Sequence, residues 1–139
     1  MLKGLNPILG PELLHTLRAM GHGDEIAIVD GNYPAVAHAR RLIRADGHHA
    51  PPILDAILSV MPIDEAVSES IFIPHHDQTQ ACHTEFKAIC ARHEPKQGVH
   101  ALKGQAFYDK VKSAYAIVAT SEPALYANII LRKGVIYPA

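Results

Sequence analysis

Three short apolar runs constrain this chain more than anything else in it: Ile26-Ala27-Ile28-Val29, Tyr115-Ala116-Ile117-Val118-Ala119 and Ile129-Ile130-Leu131. Runs of this length, rich in β-branched residues and closed by turn formers, read as strands buried on both faces. Asp30-Gly31-Asn32 breaks the first, Thr120-Ser121-Glu122-Pro123 the second, and Lys133-Gly134 closes the third, which begins at Asn128. Shorter strands are expected at Arg41 to Ala45, Ser70 to Pro74 and Val99 to Leu102.

Between the strands the apolar residues recur at helical spacing. Leu13, Leu14 and Leu17 give a helix from Pro11 to Met20, with proline at its first position and Gly21 as its C-terminal glycine. Ile53, Leu54, Ile57 and Leu58 give a second from Ile53 to Val60, opened by Pro51-Pro52. Gln80 to His93 and Phe107 to Ala114 supply two more, and a short helical piece is expected after Pro123. Strands separated by helices of about ten residues predict an α/β fold with a mostly parallel sheet. With no linker, repeat or low-complexity stretch, residues 1–139 form one domain.

Charge excludes some partners. Thirteen basic and fourteen acidic residues, spread along the chain, leave a net charge of −1. Neither nucleic acid nor an anionic membrane is addressed by that balance. No apolar run approaches the ~20 residues of a membrane span, and Met1-Leu2-Lys3-Gly4-Leu5 lacks a signal-peptide core. Cys82 and Cys90 fall in one helix, roughly 12 Å apart along its axis, which predicts reduced thiols and a cytoplasmic protein.

Ten histidines raise the question of a metal. The adjacent pairs His48-His49 and His75-His76 would point to opposite faces of a strand, and no His-Glu-x-x-His or Cys-x-x-Cys spacing occurs. No metal is expected. Glycine-rich nucleotide loops and the Gly-x-Ser-x-Gly elbow are also missing. Simple proton transfer without a cofactor, or plain binding, remains.

Two constellations carry that chemistry. Gly21-His22-Gly23-Asp24-Glu25 presents an imidazole between two glycines, in the turn from helix to strand. Imidazole titrates near neutral pH, which suits an acid–base role. Asp30 lies at the far end of the same strand, roughly 20 Å away at ~3.3 Å per residue, so His22 and Asp30 do not form a dyad within an extended segment. Tyr126-Ala127-Asn128 places a phenol and a carboxamide two residues apart, which in an extended segment face the same side. Together they match the donors and acceptors of vicinal sugar hydroxyls. Arg44 and Asp46 read as an exposed ion pair.

Met20-Gly21-His22-Gly23-Asp24-Glu25-Ile26, Asp30, Ile43-Arg44-Ala45-Asp46-Gly47, Ala106-Phe107-Tyr108 and Tyr126-Ala127-Asn128-Ile129-Ile130-Leu131, followed by Lys133-Gly134-Val135, resemble the L-fucose mutarotase / D-ribose pyranase family, nearer its fucose branch. The resemblance runs from Leu2 to about Ile136. It implies a three-layer α/β/α domain with a mixed, mainly parallel sheet. It also implies a ring-shaped, typically decameric homo-oligomer with sites near subunit contacts, and interconversion of monosaccharide anomers without cofactor or metal. His22 falls on the family's catalytic histidine. Asp30, Tyr126, Ala127 and Asn128 fall on its substrate-contacting positions, and Tyr108 joins them. One departure concerns the sugar: a basic residue stands upstream of Phe107 in the family, where this chain has Gly104. The competing expectations are a D-ribose pyranase-type activity, a non-catalytic monosaccharide-binding oligomer and a histidine-based metal protein.

Overall fold

A computed structural model describes all residues, 1–139. Its elements follow in the order α1 (Pro11–Ala19), β1 (Glu25–Val29), α2 (Ala35–His38), β2 (Leu42–Ala45), α3 (Ala50–Leu58), β3 (Ile71–Pro74), α4 (Ala81–His93), β4 (His100–Leu102), α5 (Gln105–Ser113), β5 (Ala116–Thr120) and β6 (Ile129–Arg132). The strands form one six-stranded sheet in the order β2-β5-β1-β6-β3-β4. Only β6 runs against its neighbours, pairing antiparallel with both β1 and β3.

Alternation along the strands divides the core. Ile26 and Ile28 of β1, Val118 of β5 and Leu131 of β6 pack with Leu13 and Leu17 of α1, Leu54 and Ile57 of α3 and Phe86 of α4. Ala27, Val29, Ile117 and Ile130 point the other way, against Ala35 of α2 and Phe107 and Val111 of α5. Side chains in a strand point to opposite faces at every step, so two cores on one sheet require these near-continuous apolar runs. Three layers result.

The structure corrects three expectations. Gly21 is not the left-handed cap of α1, whose Met20 is already extended at φ −60°, ψ 139°. Instead Lys133 reaches from the end of β6 and its Nζ donates to Leu17 O at 2.7 Å and Met20 O at 2.6 Å. A lysine on those last carbonyls does what a glycine cap would do, and also opposes the helix dipole. After Pro123 there is a turn and no helix, because Tyr126 is left-handed at φ 61°; the turn is held by Glu122, whose Oε2 accepts from Ala50 N at the start of α3 and whose Oε1 accepts from Ala124 N. Finally, Tyr126 is not extended. At φ 61° it is the one non-glycine residue in the left-handed region, so it and Asn128 do not lie on one face of a strand.

Candidate active site

β1 and β6 form a ribbon in which Glu25 lies opposite Arg132 and Ile28 opposite Ile129. Polar residues collect at both of its ends. Glu25 to Asp30 covers five residue steps, roughly 16 Å at ~3.3 Å each.

At the Glu25 end, the α1–β1 turn carries His22. Asp24 Oδ2 accepts from Gly21 N at 2.7 Å, and Gly23 N donates to Lys133 O at 2.9 Å, tying the turn to β6. Gly23 has φ 88°, and a Cβ there would lie 2.9 Å from Arg132 Nη2. Glycine is required by the conformation, and a side chain there would also displace the Arg132 guanidinium.

His22 Nε2 lies 3.0 Å from Asp64 Oδ1. Asp64 follows α3 in the loop before β3 and is 1% exposed. Its Oδ1 also accepts from Ala66 N at 2.9 Å, and its Oδ2 accepts from Arg132 Nε at 2.7 Å. Close approach of this loop to the end of β6 explains Gly134, where a Cβ would meet the Ile63 carbonyl at 2.6 Å. Burial pushes the Asp64 carboxyl up, but the Arg132 guanidinium, the Ala66 N–H and the His22 ring outweigh it and hold it at about 2. Asp64 is thus a carboxylate, which only accepts. Nε2 of His22 must carry the hydrogen, and Nδ1, on a ring 48% exposed, is the nitrogen left for chemistry.

The Asp30 end lies at the carboxyl edge of the parallel strands, where open α/β sheets place their ligands. Asp30 is buried, its N donating to Asn128 Oδ1 at 2.8 Å and its Oδ1 accepting from Asn32 N at 2.9 Å. Asn128 is buried as well. Asp30 Oδ2 and Asn128 Nδ2 have no partner within the chain, nor do the hydroxyls of Tyr126 and Tyr108. Tyr108 is 43% exposed and stacks on Tyr33 at 5.9 Å, while the Tyr33 hydroxyl lies 2.8 Å from His38 Nδ1. Burial, with Tyr108 and Asp30 close by, pushes the Tyr33 phenol well above its usual range, so it stays protonated. Tyr126 is 42% exposed, its ring 4.6 Å from that of His76. Ala127 is fully buried and contributes backbone only.

Asp30, Tyr126 and Asn128 thus gather at one end of the ribbon, with Tyr108 on the α5 side, and His22 stands alone at the other. Asp64 and Arg132 are the groups that sequence reasoning missed. Asp64 sits in Pro62-Ile63-Asp64-Glu65, an acidic loop with no periodic signal, and nothing in its neighbourhood names His22 as partner. The sequence's hint was Arg132, a cation closing the otherwise apolar run Ile129-Ile130-Leu131, and only the sheet shows it opposite Glu25 of the strand that follows His22. Arg44 and Asp46 form the exposed pair expected of them, at 2.9 Å. No three His, Cys, Asp or Glu side chains converge as a metal-binding group. Gly104 opens α5 at φ 52°.

A doubly covered sheet with polar groups free on its carboxyl edge defines an α/β protein built to bind a small polar ligand. The sequence pattern of the RbsD / FucU transport protein family matches residues 3–136, and the chain belongs to that family. It is 41% identical to the L-fucose mutarotase of Glaesserella parasuis over 97% of this chain and 96% of that one. It is 39% identical to the fucose mutarotase of Homo sapiens, covering 97% and 94%. A fucose mutarotase from Streptococcus pneumoniae, solved in complex with L-fucose, superposes with a TM-score of 0.93 at 42% identity, covering 98% of this chain and all of the other.

Proposed function

We propose that this chain is a cofactor-independent sugar mutarotase, an isomerase that interconverts the anomers of a monosaccharide, L-fucose first among them. The observation that carries the proposal is the state of His22. Its Nε2–H is committed to a buried carboxylate and its Nδ1 is free, which is the arrangement of a positioned general base and acid.

The reaction opens a hemiacetal. Nδ1 takes the proton of the anomeric hydroxyl as the bond from C1 to the ring oxygen breaks, and the electron pair left on the ring oxygen is protonated in turn. Rotation about the bond to C1 and the reverse transfers close the other anomer. Asp64 holds the Nε2–H and so orients the ring, and Arg132 keeps Asp64 ionised and aimed. Asp30 Oδ2 and Asn128 Nδ2 grip the sugar hydroxyls, and the Tyr126 and Tyr108 hydroxyls complete the set and relay the second proton. Acid–base help of about 10²–10⁴-fold suffices for a reaction that already proceeds unaided in water.

The two halves stand at opposite ends of one ribbon, so the working site forms between protomers of a ring-shaped homo-oligomer such as a decamer. His22 of one protomer meets Asp30, Tyr126 and Asn128 of its neighbour. The whole chain acts as one domain, and its two free thiols, Cys82 and Cys90, fit the reducing cytoplasm. No helix is long and apolar enough to cross a membrane.

Saturation-transfer NMR on L-fucose tests the reading. Wild type accelerates anomer exchange and His22→Ala does not; equal rates would sink it. A second reading, a sugar-binding protein without catalysis, is motivated by Gly104 where the family carries a cation. Calorimetric fucose binding with no accelerated exchange would establish that reading in place of the first, and the same panel run on D-ribose tests the pyranase alternative.

A further inference from the structure

Tyr126 is held in a conformation that a residue with a Cβ avoids. Something must hold it there. Its carbonyl oxygen accepts two hydrogen bonds, from Asn128 N at 2.9 Å and from His83 Nε2 at 2.7 Å. The first is local to the turn. The second comes from the third residue of α4, more than forty positions away in sequence.

α4 is a rigid bracket for this purpose. Phe86, Ile89 and Cys90 anchor it in the core, and the His83 ring lies 6.5 Å from that of Phe86. Cys82 Sγ reaches the carbonyl of Leu125 at 3.6 Å, so the first turn of α4 holds two successive carbonyls of the same loop. A carbonyl oxygen only accepts, so the His83 Nε2 carries the hydrogen. The ring is buried, and burial, with Lys87 and His76 nearby, lowers its proton affinity against the opposing effect of the carbonyl. On the other side, the His76 Nδ1 accepts from Gln78 N at 3.0 Å, which fixes the ring that lies against Tyr126.

We propose that His83 is a positioning residue for the sugar-gripping segment: its bond to the Tyr126 carbonyl keeps Tyr126 left-handed, which sets the Tyr126 ring against His76 and carries Asn128 onto Asp30. The proposal rests on the mutarotase reading for its consequence, though not for its geometry. It makes the first turn of α4, which carries no catalytic group, a determinant of how tightly the sugar is held.

The test uses full-length protein and L-fucose exchange by NMR. His83→Leu keeps the volume and loses the donor, and it raises KM roughly ten-fold while kcat falls much less. His83→Gln restores a donor and recovers most of that loss. In a Tyr126→Gly background, where the left-handed conformation is free and the ring is gone, His83→Leu adds nothing. An unchanged KM in His83→Leu, or the same increase in both backgrounds, overturns the proposal. If His83→Leu does not fold, the long-range ¹H–¹⁵N histidine spectrum of the wild type decides: a slowly exchanging Nε2–H on His83 is expected, and a rapidly exchanging or Nδ1-protonated ring overturns the proposal. That spectrum does not depend on catalysis, so wild type that fails to accelerate fucose exchange defeats the mutarotase reading alone.

Discussion

At the Glu25 end of the β1–β6 ribbon every polar atom of the central carboxylate is engaged, Asp64 accepting from His22, Ala66 N and Arg132. At the Asp30 end the carboxylate keeps one oxygen for the Asn32 turn and leaves the other open, and Asn128 gives its oxygen to Asp30 N and keeps its amide nitrogen. The first arrangement fixes one imidazole in one tautomer and exposes a single nitrogen. The second holds its backbone rigidly and offers several unspent hydrogen-bonding atoms. A saturated network suits proton transfer, where orientation decides the rate, and an open one suits a ligand that supplies its own donors and acceptors. The same residue types serve two purposes because their partners differ.

If the two ends divide the work this way, substitutions separate by end. His22→Ala is expected to have the largest effect, a loss of about 10²–10⁴-fold in exchange rate with fucose binding retained, measured by NMR and calorimetry side by side. Asp64 keeps Ala66 N and Arg132 after the change, so the fold is expected to survive it with a small loss of stability. Asp64→Ala, at the same end, strikes stability as well. It strands Arg132 beside an empty buried site and is expected to cost about 3 kcal/mol in chemical denaturation, besides slowing exchange.

The same carboxylate predicts a pH signature. Its folded value, about 2, lies below the ordinary ~4 of an unfolded Asp, so its contribution is present in full above that ordinary value and is lost as pH falls towards 2. Asp64→Asn should flatten that acid limb. Asn128→Ala belongs to the binding end, and a KM increase of roughly ten-fold with a smaller change in kcat is expected, since the grip on the sugar and on Asp30 N goes together. Arg44→Ala removes an exposed ion pair that bonds to none of these groups and should change neither rate nor melting.

The layers were legible in the sequence because they rest on local rules. The apolar runs Ile26–Val29 and Ala116–Ala119 can only be strands covered on both faces, and helical spacing such as Leu13, Leu14 and Leu17 supplies the covers. The places of His22, Asp30 and Asn128 in turns at strand ends were legible too, while their part in the reaction belongs to the proposal. What joins them was not. Asp64 lies 42 residues from His22, and His83 lies 43 from Tyr126, so their meeting depends on strand order and register. Tyr126 escaped for a related reason. Nothing in Leu125-Tyr126-Ala127 announces a positive φ, which is maintained by a distant helix and not by a glycine. Gly21 was misread because the cap that replaces it, Lys133, comes from the last strand.

The central claim is that the two ends work on one sugar only across a contact between protomers. Co-assembling His22→Ala, nearly inactive, with Asn128→Ala, weakened roughly ten-fold when fucose is held below KM, tests it most directly. Random pairing gives some contacts an intact His22 from one chain and an intact Asn128 from the other, so the mixed oligomer should recover about a quarter of wild-type exchange. A mixture no more active than the average of its two parents would contradict the account and return both halves of the site to a single chain.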